Sequence, residues 1–271
     1  MNQPNSFAEL PVTVLAQTSA ASNEIHLPLL LEMGHELRAP LQTILGYSDL
    51  LRDQLQRPTT NSQEMLQSLD AIASSGNYLL GMLHNMLELA KLDQGKFTPR
   101  WGNIALDELV LHLDEQLRPL LNQQENQFSI EIPPILPSFR SDRQRLLQIL
   151  INLLTNAAKF THRGFIRLEI SLHAGQLVFS VRDNGVGMSA EQLSQLFEPF
   201  NQHQTTEHQA PIRSGAGLGL FISRQLAQLI GGELTVHSTP EQGSEFLLRI
   251  PMRLAESAEH PVNQLKPFVP A

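Results

Sequence analysis

Met33-Gly34-His35-Glu36-Leu37-Arg38-Ala39-Pro40-Leu41 sets a histidine beside an acid, with a proline one turn later. A neutral imidazole, with an ordinary pKa of about 6.5, is a good nucleophile near neutral pH. An adjacent carboxylate can orient it or take its proton. Pro40 removes the amide that would meet the Glu36 carbonyl, so a helix here should bend beside His35. Alone the pattern decides little, because surface histidines are common on helices.

Outward from His35 a heptad runs through Leu27, Leu30, Gly34, Leu37, Leu41, Ile44, Ser48, Leu51 and Leu55. Spacings of three and four make this the seam of a helix packed at a shallow angle, with Leu31 and Leu45 widening the stripe. His35 lies one position off the seam, at its edge. Arg57-Pro58-Thr59-Thr60-Asn61 reads as a turn and Ser62 as a helix cap. A second heptad follows: Met65, Leu69, Ile72, Gly76, Leu79, Leu83, Met86 and Ala90, stopping near Gly95. Two matched helices and a short turn predict an antiparallel hairpin. One hairpin cannot bury both seams and their flanks (Leu66, Ala73, Leu80, Leu87), whereas two can as a four-helix bundle. A homodimer is therefore expected, the alternative being a stripe packed on the chain's own second domain.

The composition sets outer limits. The chain has 271 residues, a net charge of -8 and no cysteine. The charge argues against nucleic acid or anionic membrane as a partner. Without cysteine there are no disulfides, thiolate metal sites or cysteine catalysis. The stretch richest in apolar residues, Leu146–Leu154, is broken by Gln148 and Asn152 and is far short of the ~20 residues of a membrane span, and no leader pattern opens the chain. A cytoplasmic location is expected. Residues 1–22 read as a flexible lead-in.

Beyond a linker or short strand at 96–103 the pattern changes to mixed α and β. Leu106–Leu121 is predicted helical, Phe128–Ile132 a strand, and Ser141-Asp142 the start of a helix running to Lys159. Gly164–Leu172 and Leu177–Arg182 read as strands joined at Ala174-Gly175. Ser189 caps a helix through Leu196, Leu218–Ile230 is helical, and Glu233–His237 and Glu245–Ile250 close as a hairpin. Residues 201–214 read as a mobile polar loop, and the tail after Pro251 as disordered.

Three clusters in this half carry chemistry. Asn152, Asn156 and Lys159 share one helix face at i, i+4 and i+7. A carboxamide oxygen suits Mg²⁺ when phosphates supply the charge, and a lysine can meet phosphate; a plain polar outer face fits equally. Asp183-Asn184-Gly185-Val186-Gly187 ends a strand. The carboxylate can accept from an exocyclic amine and the glycines allow close backbone approach, although Asn-Gly is also a common hairpin turn. Gly215-Ala216-Gly217-Leu218-Gly219-Leu220 opens a helix whose amides and dipole suit a phosphate, or forms a hinge. Neither the dinucleotide fingerprint nor the P-loop is present. His203 and His208 lack a third ligand for a metal.

In this order the clusters resemble the transmitter region of two-component sensor histidine kinases, over about residues 24–252. The stretch around His35 looks like the phosphoacceptor box and Asn152–Phe160 like the N box. Asp183–Gly187 and Gly215–Leu220 look like the two glycine boxes, and Leu196-Phe197-Glu198-Pro199-Phe200 like the F box. The resemblance implies a dimerisation and phosphotransfer hairpin at 23–97, a gyrase-like ATP-binding α/β sandwich at 98–253, and a flexible tail. Carried over, His35 would be the phosphoacceptor with Glu36 as base or orienting group. Asn156 would hold Mg²⁺, Lys159 and Arg213 would touch phosphate, and Asp183 would bind the adenine amine. Asn152, Phe160, Gly185, Gly187, Phe200, Gly215, Gly217, Leu218 and Gly219 would complete the nucleotide site, with 201–214 as its lid. Related ATPases carry a water-activating glutamate where this chain has Asn152, so bound ATP would await His35 instead. The implied product is phospho-His35. The implied partner is the receiver domain of a response regulator, docking near Gln42–Ser48 and Met82–Asn85. One departure is Ala39, where the family carries a polar residue that positions water for dephosphorylating the partner; weak phosphatase activity is expected. The chain is part of a longer protein, or takes its signal from an upstream sensor protein through residues 1–22 or the tail. A rival reading is a non-catalytic ATP-binding dimer that sequesters a response regulator; another is an ATP-driven conformational machine.

Overall fold

The computed structural model describes residues 26–56, 61–93, 98–123, 125–133, 138–199 and 217–254. The chain divides into two compact units, Met1–Lys96 and Phe97–Ala271. The lead-in 1–22, the polar loop 201–214 and the tail from 255 onward lie outside the described residues.

The first unit is a helical hairpin of α1 (His26–Leu55) and α2 (Ser62–Asp93). Helix α1 continues through Pro40. On α2 the buried side chains are Ser68, Ser75, Met82 and Leu89, one per heptad. Met65, Ile72, Leu79 and Met86 flank them half-buried, as expected. Leu69, Leu83 and Ala90, the other half of the expected α2 seam, are exposed in the single chain. The reason is local. Ser68 and Ser75 donate their hydroxyls to the carbonyls of Glu64 and Ala71 one turn back. A serine satisfied by its own helix can occupy a buried contact, and its small side chain lets the helices approach. Leu66, Leu69, Leu80, Leu83 and Leu87 therefore point away from α1 and stay exposed, as do Leu41, Leu45 and Leu55 on α1.

The second unit is a two-layer α/β sandwich. Its five-stranded sheet has the order β2-β4-β5-β7-β6, built from Gln127–Glu131, Phe165–His173, Gln176–Asp183, Gly243–Pro251 and Glu233–Thr239. Strand β2 pairs parallel to β4; the other pairings are antiparallel. Strict alternation buries Ile166, Leu168 and Ile170 on β4, Leu177, Phe179 and Val181 on β5, and Phe246, Leu248 and Ile250 on β7. Three helices cover that face: α3 (Leu106–Gln123), α4 (Arg143–Phe160) and α6 (Gly219–Leu229). Their apolar stripes recur at three and four, as in Leu106, Leu109, Leu113, Leu117 and Leu121 of α3. A short α5 spans Ala190–Gln195 behind a capping box of Ser189 and Gln192. The β4–β5 turn places Ala174 (φ 49°) and Gly175 (φ 76°) in the left-handed region, as a two-residue primed turn requires.

A small second sheet pairs β1 (Gly102–Ile104) with β3 (Phe139–Ser141). Ser141 ends β3, and Asp142 alone caps α4, accepting from the amides of Arg145 at 3.1 Å and Arg100 at 2.8 Å. The expectation of a tail disordered from Pro251 is corrected for its first residues. Met252 donates its amide to Gly175 at 2.9 Å, Arg140 donates to Arg253 at 2.7 Å, and Leu254 bridges to Phe139. The Arg253 guanidinium lies 4.1 Å from the centre of the Trp101 ring.

Candidate nucleotide site and phosphoacceptor hairpin

Helix α4 sets one wall of the site. Its apolar face, from Leu146 to Ala158, fixes its roll on the sheet. Asn152, Asn156 and Lys159 are left half-buried. Asn152 donates its side-chain amide to the hydroxyl of Ser223 on α6 at 2.9 Å. A Cβ on Gly219 would overlap the Asn152 carboxamide oxygen, so that glycine lets α6 close on α4. The Asn156 carboxamide makes no hydrogen bond to another described residue. Burial holds the Lys159 ammonium below the ordinary lysine range, and its Nζ sits 4.7 Å from the centre of the Phe160 ring, itself 41% exposed.

Asp183 ends β5 and is 5% exposed. Burial pushes its carboxyl above the ordinary aspartate range, opposed by the nearby Gly185 and Ser244 amides and the Thr161 hydroxyl. The Gly185 contact is 2.8 Å. The loop that follows is stitched to two neighbours. Val186 donates to the Phe160 carbonyl at 3.2 Å and Glu241 donates to the Val186 carbonyl at 2.7 Å. Met188 donates to the Ser238 hydroxyl at 2.9 Å. A Cβ on Gly185 would overlap the Phe160 carbonyl, and one on Gly187 (φ 64°) the Thr239 carbonyl. These glycines therefore serve close approach of protein backbone to protein backbone.

Helix α6 begins after Gly217 (φ 67°) and the buried Leu218, with no side chain capping its first amides. Those amides remain donors of the kind an anion takes. In the F-box stretch, the Phe197 ring sits 5.1 Å beneath the Arg224 guanidinium of α6. Phe200, Arg213 and Gly215 lie outside the described residues, as do His203 and His208.

The structure thus brings Phe160, at the end of the helix that carries Asn152, Asn156 and Lys159, against the loop bearing Gly185 and Val186, and sets Gly219 and Ser223 of α6 against Asn152. Sequence reasoning overlooked Thr161, Ser223, Ser238, Gly243 and Ser244. Gly243 carried a signal: it follows Pro-Glu-Gln between two strands, and with φ 92° its Cβ would overlap the Asp183 carbonyl. The serines carried none, since a buried hydroxyl reads like any surface serine. On the hairpin, His35 and Glu36 lie on α1, and Glu36 Oε2 accepts from the Tyr78 hydroxyl of α2 at 3.1 Å.

A helical hairpin carrying a His-Glu pair is followed by a sandwich with a buried acid at a strand end and uncapped amides opening a helix. Both parts have matches among known proteins. Residues 29–95 match the His Kinase A (phospho-acceptor) domain, and residues 141–254 match the histidine kinase-, DNA gyrase B-, and HSP90-like ATPase family. The autoinducer 2 sensor kinase/phosphatase LuxQ of Vibrio cholerae is 37% identical over 251 residues, covering 91% of this chain and 28% of that protein. Full-length ShkA in complex with AMPPNP aligns with a TM-score of 0.62 at 28% identity, covering 85% of this chain and 46% of that one. The histidine kinase ThkA in complex with the response regulator protein TrrA aligns with a TM-score of 0.66 at 21% identity, covering 86% and 63%. The chain belongs to the two-component sensor histidine kinases, of which it carries the transmitter region. It spans less than a third of the length of the LuxQ relatives it matches. Among the described residues, no helix is long and apolar enough to cross a membrane.

Proposed function

We propose that this chain is an ATP-dependent protein-histidine kinase that acts as a cytoplasmic homodimer. It phosphorylates itself on His35 and passes the phosphoryl group to an aspartate on the receiver domain of a response regulator. The adenine amine donates to Asp183, whose carboxylate is held by the Gly185 amide. Lys159 and the first amides of α6 meet phosphate oxygens, with Phe200, Arg213 and Gly215 completing the site from segments outside the described residues. The Asn156 carboxamide, which has no protein partner among the described residues, fits Mg²⁺ in the company of phosphates. When bound, Mg²⁺ supplies neutralisation of charge on the transferring group. An imidazole nitrogen of His35 attacks the γ-phosphorus, a nitrogen–phosphorus bond forms, the bond to the ADP oxygen breaks, and Glu36 takes the imidazole proton.

The observation that carries this reading is the chemistry at position 152. Asn152 offers an amide engaged with Ser223, and an amide cannot take a proton from water. ATP held here then survives until His35 arrives. Residues 1–22 or the tail would receive the signal from an upstream sensor. The test is incubation with γ-labelled ATP and Mg²⁺ beside His35→Gln and Asn156→Ala. Label retained by wild type and lost in both variants supports the kinase. A wild type that binds ATP without labelling overturns it in favour of a nucleotide-gated binding dimer.

A further inference from the structure

For most of its length the hairpin is joined through apolar or small side chains: Ser68, Ser75, Met82 and Leu89 are the buried groups of α2. At the level of the phosphoacceptor box the contact changes character. Tyr78 follows Ser75 by three residues, so it stands beside the buried row. Its hydroxyl crosses to α1 and donates to Glu36 Oε2 at 3.1 Å, bridging 42 residues of sequence. Both side chains are half-buried. A hydroxyl bonded to a carboxylate is about twice as strong as a neutral pair. A tyrosine places its hydroxyl with only two side-chain torsions, so it orders a longer partner at small entropic cost. Glu36 is thereby tethered twice, by its own backbone on α1 and by its carboxylate to α2.

We propose that Tyr78 is a positioning residue for histidine phosphorylation. It holds the Glu36 carboxylate in the geometry that receives the proton of the neighbouring His35, an assignment that rests on the kinase reading above. The device also ties proton acceptance to helix register. A slip of α2 by one helical turn, about 5.4 Å, exceeds the reach of a hydrogen bond and breaks the Tyr78–Glu36 contact. The pairing at the turn end, Gln54 to Glu64 at 3.3 Å, joins two exposed or half-exposed side chains remote in sequence from His35 and has no such consequence.

The test is the initial rate of autophosphorylation of the full chain across a range of ATP concentrations. Four proteins are compared: wild type, Tyr78→Phe, Glu36→Gln and the double variant. Tyr78→Phe should keep the KM for ATP and lose about three- to tenfold in kcat, the worth of one hydrogen bond. Glu36→Gln should lose more, on the order of a hundredfold. The double variant should be no slower than Glu36→Gln alone, because Tyr78 acts through Glu36. A purely structural tyrosine would instead multiply its loss onto that of Glu36→Gln, and this result overturns the assignment. So does a Tyr78→Phe protein with wild-type kcat while wild type is labelled on His35. Wild type that takes up no label at all defeats the kinase reading itself, a separate and recognisable failure.

Discussion

In the sandwich the largest buried side chains, among them Phe139, Phe179, Leu109, Leu113, Leu150 and Leu153, come from one chain and are almost wholly covered by it. In the hairpin, by contrast, Met82 and Leu89 are the buried large apolar side chains among the described residues. Leu45, Leu55, Leu66, Leu69, Leu80, Leu83 and Leu87 remain half exposed or more. One region completes its core alone. The other covers only the inner row of each helix and leaves the outer row to water, at about 1.5–3 kcal/mol for each leucine that a partner could cover. A catalytic unit that must fold around a nucleotide benefits from a finished core. On the proposed reading a second copy would close the hairpin's outer face, and that packing could change without unfolding the catalytic unit.

The sharpest way to break that comparison is Leu69→Glu with Leu83→Glu. In a twofold dimer these place four charges where leucines should meet. Losing about 2 kcal/mol of apolar burial at each site should weaken self-association by on the order of a thousandfold or more. Sedimentation velocity should show monomer while the sandwich binds ATP normally. A variant that remains dimeric defeats the claim that this face is the interface.

Asp183→Asn probes the sandwich from the other side. Replacing an acceptor by an amide at the adenine position should cost on the order of a hundredfold in ATP affinity, measured by calorimetric titration. Stability should hold or rise, because burial already pushes the Asp183 carboxyl up. The sign follows from linkage: with a folded pKa above the unfolded one, the stability gained from the protonated acid is fully present below the ordinary aspartate range and lost as pH rises through the folded value. ATP affinity should move oppositely, declining as pH falls through that raised value. A fall in the melting temperature of Asp183→Asn near neutral pH would contradict the burial account.

Gly187→Ala should destabilise the sandwich by about 2–4 kcal/mol, since it adds a side chain at φ 64° and overlaps the Thr239 carbonyl. Dimer formation should be unaffected, and thermal unfolding together with sedimentation reads both. The smallest effect is expected at the exposed Ala39, where a methyl group cannot position water. Ala39→Thr should raise the dephosphorylation rate of a phosphorylated regulator about severalfold, in line with one added hydrogen bond, and leave both cores alone. An unchanged rate would remove Ala39 from the account.

What could be read from the residues follows the same divide. In the sandwich, the period-two runs at 166–170 and 177–181 and the face shared by Asn152, Asn156 and Lys159 are written in residue type and spacing, and the structure has the strands and α4 there. On α2 the burial of Ser68 and Ser75 was not legible because they look polar, and only the carbonyls of their own helix show why they can be buried. The three-residue strands β1 and β3 are too short for any period to register. The parallel pairing of β2 with β4 depends on how distant segments meet, which no local pattern encodes. In the site, Asp183 announced itself as an acid before Gly-X-Gly. Its neighbours Thr161 and Ser244 did not, because they come from a helix end and a strand far apart in sequence.

The most direct test maps the phosphoryl group after the full chain has been incubated with ATP and Mg²⁺. Peptides are prepared at alkaline pH and read by mass spectrometry. The expected result, at an ATP concentration near the wild-type Kd, is one phosphoryl group on the peptide containing His35, stable to alkali and lost in acid, and a yield lower by on the order of a hundredfold in Asp183→Asn, whose hairpin is untouched. Phosphate on a serine, threonine or aspartate instead, or on His35 at undiminished yield in Asp183→Asn, would contradict the claim that the sandwich holds the ATP from which His35 is phosphorylated.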